Sequence, residues 1–206
     1  MMHHNDPHHI MDLPSLETLQ RSRLQSDSPL GIALSLLFES TPVLFAHLEP
    51  AISHQLTSIR LTSYTQLVDL CLHEIAEWDS TLVCQFIEGH PRIGEDRNLS
   101  KLSAKEQAAA ATSPEVLARL VYLNECYECR YGLRYITFVN GRSRAAIAKE
   151  MEERLGLSED CWTAPSEMIQ VEARSEEWRA ELARAVQDIG LIAKSRLGAL
   201  EVNTGC

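Results

Sequence analysis

Only one stretch of this chain strongly favours extended backbone, and it has no partner. Tyr135-Ile136-Thr137-Phe138-Val139 is dense in aromatic and β-branched residues and is bounded by Gly132 and by Asn140-Gly141. A single strand leaves its N–H and C=O groups without a ladder, so it cannot found a sheet. The segment is therefore expected to be a short extended connector. Elsewhere the apolar residues recur at helical spacing. The expected fold is all-α, a single-domain irregular helical bundle of about seven to nine helices. That domain should occupy residues 13–200, between a flexible His-rich tail at 1–12 and a C-terminal tail at 201–206.

Start and stop chemistry supports this reading. Pro29 precedes the apolar run Leu30 to Phe38, which reads as a largely buried helix, and another helix should follow Pro42. Thr62 or Ser63 can cap a helix over Tyr64 to Trp78, whose Leu67, Leu70, Cys71 and Ile75 fall in phase. Ser113-Pro114-Glu115 combines a cap, a proline at the first helical position and an early acid, followed by the stripe Val116, Leu120, Leu123 and Tyr127. Ser143 to Leu155 returns to helical period through Ile147 and Met151, with Gly156 as its stop. A long last helix from about Pro165 to Leu200 should carry Leu182, Val186, Ile189, Ala193 and Arg196 on one face.

A chain of 206 residues can bury a core without disulfide support. The 29 acidic against 19 basic residues give a net charge of −10, so a polyanion approaches against the field; nucleic acid and acidic membrane are excluded as first partners. Cys71, Cys84, Cys126, Cys129, Cys161 and Cys206 are scattered and follow no signal peptide, which reads as reduced thiols in an intracellular protein. No apolar run approaches the roughly 18–20 residues that span a bilayer. The last residues, Asn203-Thr204-Gly205-Cys206, form neither a peroxisomal signal nor a prenylation box, leaving cytoplasm or peroxisome as the expected compartment.

Three places carry side chains capable of chemistry, each with a plain structural alternative. In Gly89-His90-Pro91-Arg92-Ile93-Gly94 a helical stretch breaks at a proline flanked by glycines, placing an imidazole where the chain turns sharply. Such a His suits a catalytic loop or merely terminates the helix. Ser103-Ala104-Lys105-Glu106 matches a capping box, and Glu106 can equally be a carboxylate that orients the His90 ring. Arg196 lies in phase with the buried stripe of the last helix, where it meets either an anion or free carbonyls at a helix end. Metal patterns are weaker. Cys126-Tyr127-Glu128-Cys129 lacks a second pair, and His73-Glu74 has Glu77 where a second histidine should stand. No metal site is expected, apart from a remote metal-carrier reading of the His-rich tail.

Taken together, His90-Pro91-Arg92-Ile93-Gly94, Ser103-Ala104-Lys105-Glu106-Gln107, Leu123-Asn124-x-x-Tyr127-Glu128 and Gly132 through Ser143 resemble the 2-oxo-4-hydroxy-4-carboxy-5-ureidoimidazoline (OHCU) decarboxylase family, in a form like its fungal branch. The resemblance runs from about Leu30 to Leu200 and includes no transthyretin-like extension, so a stand-alone decarboxylase is expected. It implies an all-α protein, a homodimer, acting on a small-molecule substrate without a cofactor to give S-allantoin and carbon dioxide. It assigns catalysis to His90, Glu106 and Arg196. Substrate binding falls to Pro91, Ser103 and Gln107 and to the segment Tyr135, Ile136, Thr137, Phe138 and Val139. The competing reading is a catalytically lapsed ligand-binding or adaptor protein on the same fold.

Overall fold

The computed structural model describes residues 13–95 and 112–201. Among the described residues there is no strand, and the all-α expectation holds. Eight α-helices are present among them: α1 (Leu16–Gln20), α2 (Pro29–Phe38), α3 (Glu49–Gln55), α4 (Tyr64–Ala76), α5 (Ser80–Glu88), α6 (Pro114–Tyr131), α7 (Arg144–Leu155) and α8 (Glu176–Glu201). Tyr135 to Val139 is neither helix nor strand, in keeping with its lack of a partner. None of the described helices is long and apolar enough to cross a membrane.

The helices begin where the cap residues stand. Ser28, Ser63, Ser113 and Ser143 each accept a backbone N–H through the side-chain oxygen, and Pro29 and Pro114 occupy the first turn of their helices. Gly132 and Gly156 close α6 and α7 in the left-handed region, at φ 64° and 68°.

Within the domain the chain falls into two compact units. Residues 13–77 and 192–201 form one, containing α1 to α4 and the end of α8. The helix after Pro42 takes an unexpected form, winding as a π-helix over Leu44–Leu48 before α3. Gly31 lets Glu49 approach the start of α2. A Cβ on that glycine would lie 3.1 Å from the Glu49 carboxylate, which accepts from the Ser28 hydroxyl. Leu34, Phe38, Leu48, Ile52, Leu67 and Ile75 are fully buried and form the apolar centre of this unit.

Residues 78–191 form the second unit. Here α6 packs along α7, burying Leu120, Leu123 and Tyr127 from one and Ile147 and Met151 from the other. Arg119 ties the loop after α7 to this pair. Its Nε donates to Glu152 at 2.7 Å, Nη1 to the Cys161 carbonyl at 2.5 Å and Nη2 to the Ser158 carbonyl at 2.8 Å. The guanidinium also lies 4.9 Å from the ring centroids of both Tyr122 and Trp162.

The last helix is shorter than its apolar period suggests. Pro165–Glu167 is a single 3-10 turn, and α8 starts only at Glu176. Between them the Val171 N–H donates to the Arg130 carbonyl at 2.8 Å, and Arg174 adopts φ 66°, a conformation that no α-helix continues through. Ser175 then acts as the cap, its Oγ accepting the Trp178 N–H at 3.2 Å. Ser175 followed by two acids, Glu176 and Glu177, is the local start chemistry that sets this end of α8, rather than Pro165.

Arg119 and Glu152 are both buried, so removing one leaves the other charge unpaired. Arg119→Met is expected to destabilise the protein by about 3–5 kcal/mol, measured by urea unfolding, whereas the joint Arg119→Met, Glu152→Gln change should cost less than the sum of the single ones.

Candidate functional site

The His90 turn is built at the end of α5. Asp79 opens the helix, its carboxylate accepting the Thr81 and Leu82 N–H groups, and these bonds hold its pKa below the ordinary carboxylate value. After Glu88 the chain leaves the helix through Gly89, and the His90 N–H donates to the Ile87 carbonyl at 3.0 Å. Pro91 then has no N–H to continue the ladder. The His90 ring is 3% exposed and packs edge-on against Phe86, with centroids 5.5 Å apart. Its Nδ1 lies 3.3 Å from the Phe86 carbonyl. A carbonyl only accepts, so this contact puts the hydrogen of the neutral ring on Nδ1 and the lone pair on Nε2.

The rest of the turn is fixed against α6. Gly94 has φ 85°, and a Cβ there would meet the Leu120 side chain at 3.2 Å, so both backbone angle and space require glycine. Asn124 Nδ2 donates to the Ile93 carbonyl at 3.0 Å and to the Leu120 carbonyl of its own helix at 2.7 Å. Arg92 grips Glu128 with two bonds of 2.7 and 2.6 Å, and the Arg92 N–H donates to Glu95.

The segment expected to face the substrate lies in the same unit. Tyr135, Ile136 and Thr137 are buried, while Phe138 and Val139 are partly exposed. The Tyr135 hydroxyl donates to Glu150 at 2.6 Å, and Thr137 Oγ1 joins it at 3.2 Å. Burial, then the Glu150 charge, raises the Tyr135 pKa; Glu150 is itself pushed up by burial, but bonds from Tyr135 and Arg142 outweigh this and its pKa falls below the usual value. Three of the five carbonyls of this segment are engaged within the protein: Ile136 accepts from Arg184 at 2.8 Å, while Phe138 and Val139 accept from Arg142 at 2.5 and 3.1 Å. The Phe138 N–H is directed to Asp188, whose pKa burial raises.

Arg196 belongs to the other unit and is 3% exposed. Its Nη2 donates to Glu39 at 2.5 Å, and its Nη1 to the Leu36 and Leu37 carbonyls at 3.4 and 3.3 Å. It thus meets an anion, Glu39, and backbone carbonyls as well. The carbonyls, however, belong to α2 rather than to its own helix. Glu39 escaped the sequence reading, although it is the sole charged residue between Pro29 and Pro42, directly after an apolar helix.

Ser103, Glu106 and Gln107 lie outside the described residues. The structure brings His90 and Pro91 together with Arg92, Asn124, Glu128 and Arg134, and four of these carried no role in the sequence reading. Of the weaker patterns, Glu74 accepts from Gln55 at 2.7 Å, and Cys126 and Cys129 are both free thiols, one buried and one exposed. Among the described residues no group of three or more His, Cys, Asp or Glu side chains is placed to hold a metal ion.

Comparison with known proteins identifies a family. A family model described as OHCU decarboxylase matches residues 31–198, spanning both units. A protein of Haloferax volcanii named 2-oxo-4-hydroxy-4-carboxy-5-ureidoimidazoline decarboxylase is 35% identical over 80 residues, which cover 36% of this chain and 46% of the relative. The matched stretch is therefore less than half the length of that relative.

Because the folded Glu150 carboxyl sits below its ordinary value of 4.5, its bonds add stability above that pH, and the gain is lost as pH falls through the folded value. The urea midpoint of wild type is expected to fall between about pH 6 and pH 3, and the gap separating it from Glu150→Gln should shrink over the same range.

Proposed function

The chain belongs to the OHCU decarboxylase family, and from that premise we propose that it converts 2-oxo-4-hydroxy-4-carboxy-5-ureidoimidazoline to S-allantoin and carbon dioxide. The observation that carries this reading is the buried imidazole of His90 on a fixed turn, its Nδ1 turned to the Phe86 carbonyl and its Nε2 left as the basic nitrogen. The bond from the ring carbon to its carboxylate breaks, carbon dioxide leaves, and the electron pair passes into the conjugated imidazoline of the substrate. That ring serves as its own electron sink, so the protein needs only to position the substrate and handle protons.

In this mechanism His90 exchanges a proton with the hydroxyl or carboxylate end of the substrate. Glu106 shares the proton handling or steadies the ring, in concert with the Phe86 carbonyl. Arg196, already oriented by Glu39 and the end of α2, is the cation assigned to a substrate carboxylate or ureido oxygen. Pro91, Ser103 and Gln107 contribute to binding. Along Tyr135 to Val139 the groups that serve the substrate are positions beyond the Ile136, Phe138 and Val139 carbonyls, which Arg184 and Arg142 already occupy. Protonation from one face sets the S configuration, and the working form is a homodimer.

The test generates the unstable substrate in place from urate with urate oxidase and 5-hydroxyisourate hydrolase, and follows allantoin by circular dichroism. Wild type should raise the S-allantoin signal far faster than spontaneous decay, which gives a racemate. His90→Asn should slow it by about 10²–10⁴-fold while the far-ultraviolet spectrum stays helical. Racemic product at the uncatalysed rate with wild type would contradict the proposal and favour a ligand-binding protein.

A further inference from the structure

The clamp around the His90 turn contains a residue that the proposed chemistry leaves without a task. Arg134 stands just before the Tyr135–Val139 segment, yet its side chain reaches back to the end of α5. Its Nη1 donates to the Glu88 carbonyl at 2.5 Å and to the His90 carbonyl at 2.6 Å. A continuing helix would have paired these carbonyls with N–H groups four residues further on, and the turn takes them out of that ladder. One nitrogen bonded to two carbonyls two residues apart fixes the backbone on both sides of Gly89, and so sets where the imidazole leaves the chain. The cation also sits at the negative end of the α5 dipole.

Arg134 also faces a carboxylate, at ion-pair distance and without a hydrogen bond between them. Its Nε lies 3.9 Å from Glu128 Oε1, and the same carboxylate takes both bonds from Arg92, two residues beyond His90. His90 is thereby bracketed: Arg134 grips the backbone at and before it, Arg92 anchors the chain after it, and both converge on Glu128. One turn earlier on α6, Asn124 holds the Ile93 carbonyl. The frame is a rigid helix, which places a side chain more precisely than a loop does.

We propose that Arg134, backed by Glu128, is a positioning residue for His90, holding the turn so that the Nδ1–H meets the Phe86 carbonyl and Nε2 faces the reacting group. The catalytic part of this statement rests on the decarboxylase reading; the structural part does not. A plain helix-end cap would stabilise the fold but would have no effect on the tautomer or on kcat beyond the fraction unfolded.

The test pairs steady-state kinetics with nitrogen NMR of histidine-labelled protein, recorded above the titration of the ring. In wild type, His90 should show a protonated-type Nδ1 and a lone-pair-type Nε2. Arg134→Met should mix the two tautomers and lower kcat about 10²-fold with KM changed by less than about threefold, and Arg134→Lys, which restores a cationic donor, should recover part of both. Should Arg134→Met fail to fold, Glu128→Gln, which spares the carbonyl bonds and loosens their anchor, should shift the same signals less and lower kcat about tenfold. Wild-type ring signals in a folded Arg134→Met protein, or in Glu128→Gln where that variant must stand in, would overturn the proposal. So would a kcat loss that only tracks the unfolded fraction. If wild type itself fails to turn over, the decarboxylase reading falls, and the ring signals alone still decide whether Arg134 sets the His90 geometry.

Discussion

Guanidinium groups that donate to backbone carbonyls hold the helix ends and irregular parts of this protein. Arg119 takes the Ser158 and Cys161 carbonyls, Arg134 those of Glu88 and His90, Arg184 that of Ile136, and Arg196 those of Leu36 and Leu37. An all-helical chain with long non-helical connections has many carbonyls that no ladder takes, and burying them unpaired is costly. Arginine meets the need because it presents five donors on a planar fork, whereas lysine presents three from one point. Each of these cations has a carboxylate nearby, Glu152, Glu128, Glu181 or Glu39, so none is buried as a lone charge. Lysine is scarce in this sequence, confined to Lys101, Lys105, Lys149 and Lys194.

What could be read in the sequence follows from the same physics. Helix starts were legible because a cap is a local bond, as at Ser113 and Ser143. The partnerless Tyr135–Val139 run was legible as a connector because a missing strand is a property of the whole chain. The interruption ahead of α8 was not, because Val171 is drawn to the Arg130 carbonyl by a contact 41 positions distant in sequence and Arg174 must turn to a positive φ. The π-helical turn at Leu44–Leu48 has no sequence signature of its own.

The candidate site divides in a similar way. His90 stood out because Pro91 and Gly94 mark a turn that few sequences need, and the motif around Asn124 and Glu128 was recognisable as a pattern without a role. Their purpose emerges only when α6 is laid against the turn, where Asn124 meets Ile93 and Glu128 meets Arg92. Glu39 and Arg196, 157 positions apart, could not be paired from the chain alone. The geometry of the candidate site thus rests on long-range bonds that local propensity does not encode.

The central claim is that the His90 turn is assembled before any substrate arrives. Hydrogen exchange of the ligand-free protein, followed by mass spectrometry over the peptide spanning residues 86–95, tests it most directly. The Gly89 and His90 N–H groups, bonded to the Phe86 and Ile87 carbonyls, should exchange at least about tenfold more slowly than in an unstructured peptide. Exchange of both amides at the unstructured rate would contradict the account, since a turn that opens freely cannot hold an imidazole in a fixed orientation.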